Sequence, residues 1–492
     1  MSQDRPRKSS PFAKDVFTLV TGTAFAQLIG IIASPLLTRL YGPESFGLLA
    51  LFTSITGIIG VIACMRYELA IMLPKDDEDA VNLLGLCIIM VTIITGLTAI
   101  GLLLGGDALF ALLNARDLAP YLWLIPPFIF ISGLFLALNY WNSRTRHYGR
   151  LSIARVTSVI TSTGAQLGAG FAGYATGGSL IGASLAGSAI STGILGGQIW
   201  RDDGAYIKEK ISWKGMIYGL KRYKKFPLLD STSALLNTIS WQLPVLLLSA
   251  FFSPVIVGFY ALGMRVLQTP MSLIGGAIAQ VFFQRAAEDF HKGTLSILMA
   301  EVFDVLLKIG VFPMLLLTIT GWDLFTVIFG DTWGEAGIYA QLLGIWAIFW
   351  FISSPLSTIL SVTENLRMGF FLTILNLSTR ISSLLIGGFL GNIYIAIALF
   401  SFSGVLVYGF GCLIFLHYAG LKISSSLNMI IKVVVFSFLF LIPLLIFKIM
   451  KIPPLIISII ALVSCIIYYS QLFITDTRFR NILTALKRHF EI

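Results

Sequence analysis

Apolar segments long enough to cross a lipid bilayer recur along almost the whole of this 492-residue chain. A helix needs about 20 apolar residues to span the hydrocarbon core. Breaking the sequence at polar or Gly/Pro-rich interruptions gives fourteen such segments, near residues 16–38, 47–68, 83–105, 119–141, 152–175, 179–200, 228–251, 256–282, 303–325, 337–360, 368–390, 393–416, 430–449 and 453–473. The pattern predicts an all-α polytopic membrane protein with about fourteen transmembrane helices.

The composition agrees with a chain whose outer surface faces lipid. Hydrophobic residues make up 57% of the chain and charged residues 12%, against about 25% charged residues in soluble domains. The net charge of +10 comes from basic residues in short loops, so no nucleic-acid partner is predicted. The four cysteines, Cys64, Cys87, Cys412 and Cys465, have no metal-ligand spacing. We therefore predict neither a metal nor a cofactor.

The distribution of basic residues predicts the orientation in the membrane. With the N-terminus inside, 27 of the 34 Lys and Arg residues fall in inner loops and tails. Four fall in outer loops, namely Arg39, Arg116, Lys448 and Lys451, and three within spans, namely Arg265, Lys308 and Arg380. Because cytoplasmic loops carry an excess of Lys and Arg, both termini of this multi-pass protein are predicted to be cytoplasmic.

One long polar stretch divides the chain. Residues 201–226 carry eight basic residues and are predicted to form a cytoplasmic amphipathic linker along the membrane face. The predicted domains are a first lobe of six helices at 1–200, the linker at 201–227, a second lobe of six helices at 228–418, and the last two helices with a cytoplasmic tail at 419–492.

The two predicted lobes share a short sequence repeat. PESFGLLAL begins at Pro43, and PVIVGFYAL begins 211 residues later at Pro254. The other matched pairs are Gly47 with Gly258, Ala50 with Ala261, and Leu51 with Leu262. Both lobes begin and end inside, so the repeat is predicted to be parallel, with a central cavity between two facing bundles.

The fifth and sixth segments are rich in small residues. Gly164 with Gly168, and Gly178 with Gly182, have the four-residue spacing that lets helix backbones approach closely. The spacing fits tight static packing and a bendable, sliding surface equally well.

Three stretches carry a resemblance to a known family. They read LTRLYGPESFGLLAL, MRYELAIMLPKDDEDAV and YALGMRVLQTPMSLIGGAIAQVFFQRAAEDF. These resemble the polysaccharide transporters known as Wzx-type O-antigen flippases, of the superfamily that also holds the MATE exporters and the MurJ lipid II flippases. The resemblance covers the first twelve predicted helices.

The resemblance implies a function and a location. It implies two six-helix lobes that work by alternating access in the cell inner membrane. The implied substrate is an oligosaccharide, an O-antigen or exopolysaccharide repeat unit, on an undecaprenyl pyrophosphate carrier, moved from the cytoplasmic to the periplasmic leaflet. Implied partners are membrane lipids, a polysaccharide polymerase and a chain-length regulator. A secondary transporter of this kind is not an enzyme.

Four arginines are predicted to bind the substrate. Arg265 and Arg380 lie about halfway along their spans, where a charge that faced lipid would cost several kcal/mol. The planar guanidinium suits a pyrophosphate because it donates two parallel hydrogen bonds. Arg39 breaks the charge bias of the outer loops and is a candidate for an outward gate. Arg66 ends the second span, and pairing with Glu68 is its simpler interpretation.

Other functions remain open alternatives. A lipid II-type flippase would use the same fold, whereas a MATE-like exporter of organic cations is disfavoured by cavity arginines. A membrane glycan polymerase or ligase would need a large outer loop with catalytic residues, and the longest outer loops here are short. No phosphate-binding Gly-rich Lys motif is present. Protons, sodium or voltage could drive transport.

Overall fold

The structure, a computed structural model, describes residues 12–476 and 480, with side chains from residue 21 onward except at 273, 277, 280 and 281. This part of the chain is helical, with no strand. The α-helices in chain order are α1 Phe12–Leu40, α2 Pro43–Gly60, α3 Tyr67–Ala70, α4 Asp77–Leu112, α5 Ile125–Arg144, α6 Tyr148–Phe171, α7 Gly177–Lys210, α8 Trp213–Arg222, α9 Ser231–Phe251, α10 Pro254–Pro270, α11 Gly276–Lys292, α12 Leu295–Phe329, α13 Gly334–Leu356, α14 Ile359–Val362, α15 Leu366–Phe389, α16 Ile393–Tyr418, α17 Ile423–Ile449 and α18 Pro454–Thr475.

Twelve helical segments among the described residues are long and apolar enough to cross a membrane. The prediction of an all-α, multi-pass membrane protein is therefore confirmed, but the count of fourteen spans is not. The predicted spans at 152–175 and 256–282 coincide with α6 and with α10–α11, which are helices outside these twelve. Helix α6 is rich in Ser, Thr and Gly and carries two arginines, and α10–α11 is interrupted and ends in charged residues.

Three helices are much longer than a bilayer is thick. Helices α4, α7 and α12 have 36, 34 and 35 residues, about 50 Å each, against about 30 Å of hydrocarbon. The excess is polar in α7, whose last ten residues read RDDGAYIKEK. The predicted linker at 201–226 therefore begins as a continuation of α7, followed by the short amphipathic helix α8 and a π-helical turn at Phe226–Asp230.

The chain divides into two compact units, the first ending at Pro254 and the second beginning at Val255. The first unit holds α1–α9. Within it, α7 packs closely on α6 because Gly187 has no side chain, and a Cβ there would lie 2.6 Å from the carbonyl oxygen of Ser158. Gly164, Gly168 and Gly182 face open space instead, and a Cβ at Gly178 would lie 2.2 Å from the Tyr121 ring. The four-residue spacing thus located one close side-chain contact, at Gly178, but not the close approach of α7 to the backbone of α6.

Helix α9 follows the linker in sequence but packs within the first unit. The Ser54 hydroxyl on α2 lies 2.9 Å from Oε1 of Gln242 on α9. At the C-terminal end of α9, the Ser249 hydroxyl donates to the Leu113 carbonyl, and the Asn114 amide donates to the Phe252 carbonyl at 2.8 Å. The boundary between the compact units therefore lies after α9, one helix beyond the linker. The two six-helix lobes remain a prediction from the sequence repeat.

The second unit is built around α12. Helices α12 and α13 pack side by side, with α16 and α15 beyond α13. The C-terminal pair α17–α18 packs on α12 through ion pairs near both ends of that helix. Lys448 of α17 pairs with Asp323 at 3.0 Å, and Lys308 pairs with Asp304 and with Asp476, which follows α18. Lys308, left without a role by the sequence, thus joins the C-terminal helices to this unit.

The repeated sequence has the same local structure in both of its copies. Pro43 is the first residue of α2 and Pro254 the first residue of α10. Proline is favoured there because the first turn of a helix has no partner for its N–H groups. Leu51 and the matching Leu262 are both buried, at 0% and 1% exposure. The repeat therefore marks equivalent helix starts, while superposition of the whole halves stays a prediction.

Candidate functional site

A polar stripe runs along one accessible face of α10 in the second unit. Arg265 and Gln268 are exposed, Thr269 is half-buried, and Ser272 in the following turn is exposed. The spacing i, i+3, i+4, i+7 places these four side chains on one side of a helix. The positions between them are apolar, and Leu267 is fully buried. The sequence predicts a span over 256–282, where polar side chains are costly against lipid, so we expect the stripe to face a water-filled path.

Helix α10 is fixed to α13 on the side opposite its accessible face. Gly263 lets the helices approach closely, since a Cβ there would lie 3.1 Å from the Ala336 carbonyl oxygen. The ring of Phe259 makes edge-on contacts with Trp333 and Tyr339, with ring centroids about 6 Å apart. Arg265 lies just beyond this anchored part of the helix.

The helix is weakened directly after Arg265. Pro270 has no N–H to donate to the carbonyl four residues before it, and a π-helical turn follows at Met271–Gly275. The hydroxyls of Thr269 and Ser272 donate to the carbonyls of Arg265 and Thr269, each at 2.9 Å. Turns of this kind occur often at functional sites, and here the turn gives the stripe a place to bend.

Arg380 has a different environment within the same unit. Its side chain on α15 is buried, at 2% exposure. The guanidinium donates to the Tyr408 hydroxyl at 3.0 Å and lies over the ring of Phe400, 5.6 Å from its centroid. Trp346 packs edge-on against both of these aromatic rings. The two mid-span arginines thus share a unit, but only Arg265 is accessible.

Arg66 lies in an ionic cluster in the first unit. Its Nε donates to Asp230 at 2.6 Å, and its Nη1 lies 3.3 Å from Oε1 of Glu68. The pairing with Glu68 was predicted, whereas the bond to Asp230, 164 residues away, was not. The cluster is held by a left-handed turn, since Met65 and Arg66 have φ of 50° and 62°, a conformation that favours glycine.

Burial controls the charge of Glu68. The residue is fully buried on α3 and lies between the spans Pro43–Gly60 and Asp77–Leu112. Removal from water raises the pKa of Glu68 to about 7, and Arg66 opposes that rise. Both protonation states are therefore accessible near neutral pH.

Arg39 lies far from this cluster. It is an exposed residue in the last turn of α1. The 18 residues of α2 separate it from Arg66 along the chain, a length of about 27 Å. The structure therefore places these two arginines at opposite ends of the first two helices.

The polar stripe was only partly found from the sequence. The free-energy cost of a charge in the middle of a span made Arg265 a candidate. Gln268, Thr269 and Ser272 were missed because neutral polar residues are common in membrane helices. The signal available was their helical spacing from Arg265. Among the described residues, no group of three or more His, Cys, Asp or Glu side chains could hold a metal ion.

The chain is similar to known proteins over most of its length. Residues 36–337 match the family model described as "Polysaccharide biosynthesis protein". A solved structure titled "Lipid II flippase MurJ, inward closed conformation" is similar with a TM-score of 0.72 at 14% identity, covering 92% of this chain and 98% of that chain. No curated protein sequence matches.

A second solved structure is also similar. It is titled "Outward-facing conformation of a multidrug resistance MATE family transporter of the MOP superfamily", with a TM-score of 0.50 at 14% identity, covering 82% of this chain and 94% of that chain. At this level of identity the two likenesses show the fold. They agree with the resemblance found in the sequence.

Proposed function

Because the chain belongs to the family of polysaccharide biosynthesis proteins, we propose that it is a flippase for a lipid-linked oligosaccharide. The substrate is an O-antigen or exopolysaccharide repeat unit on undecaprenyl pyrophosphate. The protein carries it from the cytoplasmic to the periplasmic leaflet of the inner membrane by alternating access, with both termini cytoplasmic. The MurJ-like fold supports this proposal, since that structure is titled a lipid II flippase.

The polar stripe on α10 carries the proposal. A substrate of this kind brings a pyrophosphate and a polar glycan through the membrane. The accessible guanidinium of Arg265 can hold the pyrophosphate with two parallel hydrogen bonds. The amide of Gln268 can exchange hydrogen bonds with sugar hydroxyls. The hydroxyl oxygens of Thr269 and Ser272, whose protons are donated to helix carbonyls, can accept from them. An accessible arginine would repel an organic cation, so a drug exporter is disfavoured.

The remaining predicted residues have other roles. We assign Arg380 to shaping the second unit, because its hydrogen bond to Tyr408 and its ring contact with Phe400 occupy the guanidinium. Arg39 stays a candidate for an outward gate. A polysaccharide polymerase and a chain-length regulator would act on the delivered substrate, and the chain itself transports without catalysing a reaction.

The test is transbilayer movement of the substrate. The full chain is reconstituted into vesicles with a fluorescent undecaprenyl-pyrophosphate oligosaccharide, and an impermeant quencher reports the fraction that reaches the outer leaflet. Wild type should speed the movement. Arg265→Ala should slow it at least about tenfold, since a hydrogen bond to a charged group is worth about 1.5–3 kcal/mol. Arg265→Lys should recover part of the rate, because a lysine keeps the charge without the planar fork.

Arg285→Ala is the matched control. Arg285 is also exposed and lies further along the same helical stretch, in α11, so the variant removes the same charge away from the stripe. It should flip like wild type. Failure of wild type to move the substrate would refute the function, and an active Arg265→Ala variant would refute the site. Preference for lipid II in competition would select the lipid II-type alternative.

A further inference from the structure

Glu68 is a fully buried carboxylate with one oxygen left over. Its Oε1 lies 3.3 Å from Nη1 of Arg66. Its Oε2 is buried and has no hydrogen-bond partner among the described residues. A buried carboxylate oxygen without a donor is costly, and binding a proton removes that cost by neutralising the group.

Arg66 contacts two carboxylates, those of Asp230 and Glu68. Its Nε bonds Asp230 at 2.6 Å, and Asp230 is the last residue of the π-helical turn before α9. The Asp230 side chain is 44% exposed, whereas that of Glu68 is 0% exposed. One guanidinium cannot fully neutralise two carboxylates, and the buried one is the costlier to leave charged. Protonation should therefore fall on Glu68.

Besides Arg66, the backbone N–H of Glu68 favours its charged form, and the other titratable groups near it favour the neutral form or are neutral. They are Cys87 of α4, Tyr140 of α5 and Asp230 of the π-helical turn. On α8, which also contacts α3, Lys221 and Arg222 are exposed. Arg144 of α5 bonds the Ile71 carbonyl at the end of α3 and is paired with Asp77. Arg66 is thus the cation paired with Glu68 in the described contacts.

We propose that Glu68 is a proton-binding site that controls how firmly Arg66 holds Asp230, and with it the start of α9. With Glu68 neutral, the Arg66 guanidinium is left to Asp230. When Glu68 loses its proton, its carboxylate competes for the same guanidinium and the bond to Asp230 weakens. In a flippase, the proton would set when α9 is released. Only this consequence for transport rests on the proposed function.

The surroundings can transmit such a change. The Tyr67 hydroxyl, on α3 beside Glu68, donates to the Leu220 carbonyl of α8 at 3.1 Å. The Ser212 N–H before α8 donates to the Asn82 side chain of α4 at 2.8 Å. The linker is therefore bonded to the same short helix that carries the carboxylate.

Hydrogen–deuterium exchange of residues 226–236 tests the proposal in the full chain. Wild type and Glu68→Gln, which resembles the protonated residue, are compared in lipid vesicles without substrate. The exchange rate of wild type divided by that of Glu68→Gln at the same pH cancels the intrinsic pH dependence of exchange. This ratio should be near one at about pH 6. It should rise to about five at about pH 8, because only wild type then has the competing carboxylate.

Two further variants complete the test. Asp230→Asn removes the negative charge that Arg66 holds and should exchange fast at both pH values, with no added effect of Glu68→Gln. Asp77→Asn, which breaks the neighbouring pair with Arg144, should keep the wild-type response. A ratio that does not change with pH, or an Asp230→Asn variant that keeps the response, would overturn the proposal. Because no substrate is present, either result is independent of what the protein transports.

Discussion

Helices α2 and α10 begin with the same pattern and then diverge. Both start at a proline and bury the leucine eight residues later. Eleven residues after the proline, α2 has Ser54, which is buried and bonded to Gln242 of α9, whereas α10 has the exposed Arg265. The shared start fixes how each helix enters its unit. At this later position the side chain of α2 is packed against protein, whereas that of α10 is exposed.

The ends of the two helices differ as well. Helix α2 stops at Gly60 and leads into the left-handed turn at Met65 and Arg66. Helix α10 continues through Pro270 and the π-helical turn into α11. The end of α2 leads into the ionic cluster of Arg66. The end of α10 carries the polar stripe into the π-helical turn.

The largest expected effect comes from placing the charge of α10 on α2. Ser54→Arg would bury a cation without a carboxylate in place, which should destabilise the protein by at least about 3 kcal/mol. Gln268→Arg, on the accessible stripe, should be tolerated. Thermal unfolding in detergent and protein level in the membrane measure both. Equal stability of the two variants would show that the two faces do not differ.

Arg66→Gln is expected to be next in size. It leaves Glu68 buried without its cation and should cost about 1–3 kcal/mol at about pH 8. Removing the cation raises the pKa of Glu68 further above its usual value. A raised carboxylate pKa contributes stability that is present at low pH and is lost as pH rises through the folded pKa, so the variant should lose stability between about pH 6 and pH 8 more steeply than wild type.

Arg144→Gln separates that pH effect from general damage. It breaks the pair with Asp77, whose side chain is 43% exposed. Its cost should be nearly the same at both pH values, because this pair does not involve the buried carboxylate of Glu68. A steep pH dependence in Arg144→Gln, or none in Arg66→Gln, would argue against the role of Glu68.

A smaller effect is expected from removing the packed hydroxyl alone. Ser54→Ala loses the bond to Gln242 and should cost about 1 kcal/mol in thermal unfolding. Thr53→Ala is the matched control, because the Thr53 hydroxyl bonds only carbonyls of its own helix in the described contacts, those of Leu49 and Ala50. If both variants cost the same, the contact between α2 and α9 does not contribute to stability.

The smallest change in stability should come from Gln268→Ala. The side chain is accessible, so its unfolding free energy should stay within about 0.5 kcal/mol of wild type. Transport should still fall about threefold if the amide binds the glycan, which corresponds to a weak hydrogen bond. An unchanged rate of flipping would limit the site to Arg265.

The sequence predicted the features that depend on local composition. Apolar length marked the spans, and the cost of a mid-span charge selected Arg265 as a candidate site residue, which stays a prediction. Pairings over long sequence distances were not predictable. Nothing near Arg66 in sequence indicates Asp230, and nothing near Arg380 indicates Tyr408, since each partner is brought in by the packing of a different helix. The division of the units at Pro254 depends on packing in the same way.

The position of α9 has a consequence for how the protein is made. Chains are synthesised from the N-terminus and their domains tend to fold in that order. Helix α9 bonds α2 through Gln242 and the segment after α4 through Ser249, and both of these partners emerge from the ribosome before it. The first unit can therefore assemble while α10 is still being translated. If the gene were split for co-expression, a break after Ser253 should yield a better-folded first fragment than a break within the linker.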